Sequence, residues 1–307
     1  MSDIKLFRYG NEGVQELEGK AAQLEKHLQA LVEANMSEVL GVRILASEYV
    51  TGNLHKGRID SLGLDENGCP VIVEYKRHTN ENVINQGLFY LDWLLDHRGE
   101  FELLVLKNLG QEAADNIEWG STRLLCIAAD YTRYDQHAVQ QINRNIELIR
   151  YRLFGDDLLL LDLVNVVSSD SAAKQAMTSP DANKAKASWA AHADRMANAS
   201  PELVELFQSM QEYALSLGDE VQSKTLKEYV AFRRLKNFVC ATVLPKQDPH
   251  VKLWLRLNPD SVQLEGEFIK DVRGVGHWGT GDLQIVLRTL ADLEQVKPLI
   301  QRSYEEN

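Results

Sequence analysis

The sequence predicts an α/β protein: a mixed sheet flanked by helices, followed by a small α+β domain. Three observations carry this. Apolar, β-branched runs at Val42–Val50, Pro70–Tyr75, Arg123–Ala129 and Leu158–Val167 alternate with helix-period segments. The chain has 307 residues, which at about 150 per domain suits two domains. Between residues 172 and 199 eleven alanines interrupt both patterns and mark a join.

Taken in order, Glu16–Glu33 has helical periodicity through Leu17, Ala21, Leu24, Leu28, Leu31 and Val32, with Asn35 as a stop. Val42–Val50 reads as a strand. Arg58–Leu64 alternates, Asp65-Glu66-Asn67-Gly68 is a turn signal, and Pro70–Tyr75 is β-branched, so 58–76 is a hairpin. Asn80–His97 turns helical. Phe101–Leu106 is a strand, Glu112–Ile117 a short helix, Arg123–Ala129 a buried strand and Asp135–Asn143 a helix. Ile146–Leu153 and Leu158–Val167 close the first domain, residues 1–167. Residues 168–200 are an Ala-rich linker, helical after Asp181. In the second domain, 201–307, a helix over Pro201–Leu217 precedes strands at Tyr229–Leu244, Val251–Leu257 and Leu283–Leu287 and a closing helix at Leu290–Tyr304.

Composition excludes several classes. Hydrophobic residues are 44% and charged residues 25%, an ordinary globular balance. The net charge of −12 argues against a histone-like coating protein, whose affinity comes from neutralising phosphates. The acidity is uneven: residues 1–165 carry 16 basic and 26 acidic side chains, residues 166–217 carry 4 and 6, and residues 218–307 carry 13 and 13. Nothing in the N-terminal residues reads as a secretory signal, and no apolar run approaches the roughly 20 residues of a membrane helix. Cys69, Cys126 and Cys240 are sparse and widely spaced, which fits unpaired thiols in a reducing cytoplasm and no zinc site.

The chemistry-bearing residues lie on the hairpin. Asp60 precedes Glu74 by one hairpin's length, and Glu74 and Lys76 are two apart on one strand, so they share a face. Ile59, Val71 and Val73 are expected on the opposite, buried face. Two carboxylates and an ammonium held together suit a hard divalent cation, with Asp60 and Glu74 as oxygen ligands and the Tyr75 carbonyl completing the protein's share. Such an ion lowers the pKa of a bound water, which Lys76 would orient, or Lys76 would stabilise charge developing on a phosphate.

This pattern resembles the PD-(D/E)xK nuclease superfamily, with Ile59 where the name has proline. Leu24-Glu25-Lys-His-Leu-Gln29, Glu48-Tyr49, Gly57-Arg58-Ile59-Asp60, Val73-Glu74-Tyr75-Lys76, Gln86 and Tyr90 are similar to the catalytic domain of its NucS (EndoMS) branch, over about residues 15–106. The resemblance implies a restriction-endonuclease-like fold and Mg2+ or Mn2+ at Asp60, Glu74 and the Tyr75 carbonyl. It also implies that Gln86 bonds near the nucleophilic water or a phosphate, and Tyr90 the substrate backbone. Glu25 reads equally as a metal-shell residue or an exposed helix charge. Glu48 reads as an exposed strand residue, His78 as a surface residue. Arg58 and Arg77 are candidate phosphate contacts, although flanking basic residues are commonly solvated.

In the second domain Asp271-Val-Arg-Gly-Val-Gly-His277-Trp278-Gly-Thr-Gly281-Asp282 is a glycine-rich loop. Together with Lys227–Phe238 and Leu299–Glu305 it resembles a small C-terminal family of unknown function. A pocket of Tyr229, Phe232, Arg233, His277, Trp278 and Asp282 is one reading. The preferred one is a structural turn in which Trp278 caps the core.

The sequence therefore points to a cytoplasmic, metal-dependent DNA endonuclease whose C-terminal domain aids recognition of substrate or partner. The partners expected are DNA, a second copy of the chain and a protein partner, with no membrane. The competing reading is a catalytically silent nuclease-fold module in a DNA-repair or defence complex, favoured by the acidic N-terminal half.

Overall fold

The computed structural model describes residues 4–11, 13–52, 56–77, 82–167 and 191–307. The chain divides into two compact units between Ser171 and Ala172.

The first unit opens with a separate hairpin, β1 (Leu6–Gly10) and β2 (Gly13–Leu17). Then follow β3 (Gly19–Lys20), α1 (Glu25–Ala34), α2 (Met36–Leu40), β4 (Val42–Val50), β5 (Arg58–Asp65), β6 (Pro70–Lys76), α3 (Asn82–Asp96), α4 (Arg98–Leu109) and α5 (Gln111–Asp115). The unit closes with β7 (Arg123–Ala128), α6 (Arg133–Gln140), β8 (Asn145–Phe154) and β9 (Leu158–Val167). The main sheet has the order β3-β8-β7-β6-β5-β4, with β9 also paired to β8. Its centre, β6-β7-β8, is parallel and the other pairings are antiparallel. This is the mixed sheet flanked by helices that the sequence predicts.

Local chemistry explains the hairpin that carries the site. Asp65 Oδ1 accepts the N–H groups of Asn67 and Cys69 at 2.9 and 2.8 Å, which fixes the turn. Gly68 takes φ +78°, and a Cβ there would lie 2.8 Å from the Asn116 carbonyl, so glycine is required. α3 then packs on the sheet through a second close approach: a Cβ on Gly87 would lie 2.5 Å from Leu124. Trp93, Leu94, Phe101, Ile72 and Leu124 form the core beneath it.

Three sequence expectations change in this unit. The Glu16–Glu33 helix begins at Glu25; Leu17 belongs to β2, where it pairs with Leu6, and Gly19 lies under the Phe154 ring. The strand expected at Phe101–Leu106 is part of α4, because a short apolar run does not reveal its own period. Phe101 and Val105, one turn apart, are buried, while Leu103 and Leu106 are exposed. Ile59 is not on the Val71/Val73 side: it packs with Leu62 and Ile72 against α3. β1, β2 and β3 were not foreseen.

The second unit holds a helical turn over residues 191–197, α7 (Pro201–Ser216), β10 (Gln222–Thr225), β11 (Val230–Arg233), β12 (Asn237–Leu244), β13 (His250–Leu255), β14 (Ile269–Asp271), β15 (Leu283–Leu287) and α8 (Leu290–Glu305). The sheet is antiparallel throughout, in the order β10-β11-β12-β13-β15-β14. Leu203, Phe207 and Met210 of α7 and Leu293, Val296 and Ile300 of α8 bury one set of its side chains. The expected strand Tyr229–Leu244 is two strands, divided by a turn in which Arg234 N–H donates to the Lys236 carbonyl. β10 and β14 were also not foreseen. Most of the Ala-rich linker, residues 168–190, lies outside the described residues; residues 191–197 are helical, as expected there. No helix among the described residues is long and apolar enough to cross a membrane.

The far end of the first sheet is tied by a buried ion cluster. Arg123 of β7 gives Nε and Nη2 to Glu147 of β8 at 2.8 and 2.9 Å and Nη1 to Asp65 of β5 at 3.0 Å. Arg123, Asp65 and Glu147 are all at most 4% exposed, so each charge depends on the others for solvation. Arg123→Met leaves two buried carboxylates without their cation, and chemical denaturation should show a loss of about 3–5 kcal/mol.

Candidate functional site

The site forms where the β5–β6 ladder ends. Paired residues run from Leu64↔Pro70 to Ser61↔Val73 and stop there. Beyond that point side chains replace the ladder. Tyr75 N–H donates to Asp60 Oδ2 at 3.0 Å, and Asp60 N–H donates to Glu74 Oε1 at 3.3 Å. The two carboxylates are thereby held beside one another across the fork of the strands, and the main chain of Tyr75 lies between them and Lys76.

Burial dominates the electrostatics. Glu74 is 0% exposed, and its Oε2 has no hydrogen-bond partner. Desolvation, reinforced by the Asp60 charge, pushes its pKa up to about 9, so its carboxyl is protonated at neutral pH in the absence of a cation. Asp60 is raised as well, chiefly by desolvation. Glu74 is opposite Cys126 on β7, whose thiol burial also pushes up.

Lys76 is held at the edge of this pair. Its Nζ lies 3.1 Å from Glu25 Oε1, at the first turn of α1. Glu25 Oε2 accepts the Arg77 N–H at 3.2 Å. Glu25 thus touches both Lys76 and the main chain of Arg77. The Tyr75 side chain turns the other way, its hydroxyl 3.2 Å from that of Ser61, which donates to Glu33 at 2.6 Å.

Gln86 and Tyr90 share a face of α3, and Gln86 Nε2 donates to Tyr90 Oη at 3.2 Å. Tyr90 Oη also accepts the Arg58 N–H at 3.1 Å. The ring packs against Gly57, where a Cβ would meet Tyr90 Cε1 at 2.4 Å. Tyr90 is buried, and this geometry makes it a clamp on the start of β5. Arg58 is exposed and pairs with Glu48 at 2.5 Å. Arg77 is exposed and gives Nη1 to the Gln23 carbonyl. His78 lies outside the described residues.

Two contributors were not assigned from sequence. Gln29, buried in α1 one turn after Glu25, donates from Nε2 to the Asp60 carbonyl at 2.9 Å and lies near Ser47 and Glu33. A glutamine on the apolar face of an amphipathic helix was the available signal. Glu48, expected as an exposed strand residue, is half-buried and has φ +55°. No sequence signal marks that backbone.

Among the described residues no group of three or more His, Cys, Asp or Glu side chains is arranged to hold a metal ion. The carboxylates facing the fork are Asp60 and Glu74, and all donors offered there are hard oxygens.

In the second unit the loop residues take separate partners. His277 stacks on Trp254, with ring centroids 5.6 Å apart and 10° between planes. Trp278 is 43% exposed and lies under the Arg195 guanidinium, 4.6 Å from its ring. Arg195 is itself ion-paired with Glu228. Trp278 therefore does not cap a core; the buried Trp254 fills that role, beside Cys240 and Tyr229. Gly279 sits against Cys240 and Tyr229, Arg233 is buried and bonds Gln222, Phe232 is in the core facing α7, and the Asp282 carbonyl accepts the Val272 N–H.

The model of a domain of unknown function, DUF5655, matches residues 193–307. An uncharacterized protein of Haemophilus influenzae is 25% identical over 315 residues, covering 99% of this chain and 100% of its own. Among solved structures, a repair endonuclease from Pyrococcus abyssi aligns at 18% identity and TM-score 0.28, over 45% of this chain and 51% of that one. A structure of an EndoMS–dsDNA complex aligns at 18% identity and TM-score 0.25, over 44% of this chain and 47% of that one. The chain thus spans about half the length of these structural relatives.

The raised Glu74 pKa fixes a pH dependence. Its carboxyl keeps its proton in the folded state up to about 9 but loses it near 4.5 in the unfolded chain. Its contribution to stability is present below the unfolded value and lost as pH rises through the folded one. In chelator-treated protein, Glu74→Gln should equal wild type near pH 5 and exceed it increasingly towards pH 9, read as melting temperature across a pH series.

Proposed function

We propose that the chain is a metal-dependent DNA endonuclease that hydrolyses phosphodiester bonds at Asp60, Glu74 and Lys76. One observation carries the reading: a fully buried carboxylate, Glu74, has an oxygen without a partner and stands beside a second carboxylate and a lysine. A buried acid so placed is costly to ionise alone, and a divalent cation removes that cost. Mg2+ or Mn2+ fits the donor set: Asp60 and Glu74 would hold it with the Tyr75 carbonyl, and waters would fill the remaining positions. Once bound, the ion supplies Lewis acidity to water and to phosphate oxygens.

The chain's own groups do the rest. Asp60 keeps its carboxylate in the fork through the Tyr75 N–H. Lys76 carries its ammonium to the rim, where it can hold a water or the negative charge that builds on phosphate as the water oxygen bonds phosphorus and the ester oxygen leaves. Glu25 restrains Lys76 and the Arg77 main chain. Gln86 and Tyr90 hold Arg58 and the first residues of β5, which fixes where Asp60 begins. DNA as the substrate rests on the sequence resemblance, as do a second copy or a protein as partner. A role for the C-terminal unit in recognition rests on its exposed Trp278 beside Arg195.

A silent binding module is the second reading, favoured by the acid surplus of residues 1–165. Cleavage of mismatched, branched, single-stranded and plain duplex DNA with Mg2+ or Mn2+ separates the two. Wild type should cut at least one substrate, and Asp60→Asn and Lys76→Ala should each slow it by about a hundredfold or more. DNA binding without cleavage in all three proteins supports the silent module instead.

A further inference from the structure

We propose that Glu48 and Gln29 are positioning residues that aim the Asp60 carboxylate into the fork between β5 and β6. Glu48 acts through its main-chain conformation, Gln29 through its hold on the Asp60 carbonyl. The cation readout below rests on the proposed metal site; the hydrogen-exchange readout does not.

On a regular strand, residues two apart face the same side. That rule is broken here on both members of one pair. Ser47 lies against Gln29 and Ser61 donates to Glu33, so both meet α1. Two residues on, Tyr49 has its ring 5.4 Å from Trp93, and Ile59 packs in the same core, so both meet α3. The strand pair turns over between them. The register shows where: Ser47↔Ser61 and Tyr49↔Ile59 are paired, and Glu48 with Asp60, which falls between, is not.

Glu48 has φ +55°, a left-handed conformation uncommon for any residue but glycine. Such strain persists where the surroundings enforce it, and it gathers at functional sites. Here the Glu48 carboxylate is paired with the Arg58 guanidinium, and its neighbours on β4 and β5 are fixed to α1 on one side and α3 on the other. Asp60 faces it across the broken pair, and its main chain turns to side chains for partners: its N–H finds Glu74 and its carbonyl finds Gln29. With both main-chain groups anchored, the Asp60 carboxylate lies between the strands rather than on a sheet face, where it captures the Tyr75 N–H.

The test uses the full chain and four variants: Glu48→Gly, Glu48→Val, Gln29→Ala and Asp60→Asn. Glycine accepts a positive φ and a β-branched valine resists it, so the two Glu48 variants separate main-chain conformation from carboxylate. Amide hydrogen exchange is read at Tyr75 and at Val73. In Glu48→Val and Gln29→Ala the Tyr75 amide should exchange about tenfold faster or more, with Val73 unchanged, as a local opening requires. Glu48→Gly should exchange as wild type does. Mn2+ titrations should follow the same order, with Glu48→Val and Gln29→Ala weakened by about 10–100-fold, Glu48→Gly close to wild type and Asp60→Asn weakest.

Equal acceleration at Tyr75 and Val73 would mean general destabilisation and overturn the proposal, as would a Tyr75 amide that neither variant changes. Mn2+ binding by Glu48→Val as tight as that of wild type also overturns it. A wild type that binds no Mn2+ overturns the cation reading instead, and the exchange pattern then decides the positioning by itself.

Discussion

Asp60 and Glu74 occupy the place where a sheet gives up its main-chain ladder, and the site depends on that exchange. Each carboxylate accepts an N–H that a continued strand pair would have taken. Two consequences follow from one cause. Opening the fork lets acidic side chains enter the interior without orphaning the main chain, which buried peptide groups do not tolerate. It also leaves Glu74 Oε2 with nothing to bond, because the main-chain donors nearby are already committed. Stability alone gives no reason to keep such an atom, and an apolar side chain of similar size would cost less. The proposed metal ion, which prefers hard oxygen, would give the reason.

The surroundings hold this arrangement at both ends. At the turn, the Arg123 cluster joins β5, β7 and β8, so the strand that bears Asp60 is fixed to the parallel centre. At the open end, Tyr90 and Gly57 set the entry of β5, and α1 covers the side opposite α3 with Glu25, Gln29 and Glu33 at successive turns. That spacing gives α1 a polar stripe four residues apart, so one helix touches Lys76, Asp60 and Ser61 in sequence. A helix shifted by one residue would lose all three contacts together.

Much of this was legible before any coordinates. The Asp65–Gly68 turn and the alternation on either side of it place Asp60, Glu74 and Lys76 together, since a hairpin's register follows from its turn. What escaped was physics that does not repeat along a sequence. The apolar run Phe101–Leu106 carries no period, so strand and helix were indistinguishable until its packing on β4 was known. Gly19, in a short strand, breaks what read as one long helix from Glu16. The turn-over at Glu48 rests on a single φ, and Gln29 acts on a carbonyl, a group that every residue has. Side-chain motifs can be read from letters; main-chain partners cannot.

The acid surplus of the first domain also becomes partly intelligible. Two of its buried cations are matched two to one: Arg123 by Asp65 and Glu147, Arg150 by Asp130 and Asp162. A guanidinium with five donors needs more than one carboxylate to be satisfied out of water, so each such cluster leaves one negative charge behind. Lys76, with Glu25 on one side and Asp60 and Glu74 on the other, continues the pattern with a smaller cation and more acid. Among the described residues, that grouping holds the fully buried carboxylate oxygen without a partner, Glu74 Oε2. The surplus is therefore in part a cost of holding buried cations. At the third grouping Glu74 keeps its proton instead; a divalent ion would displace that proton, and the sign of the local field towards phosphate would then reverse.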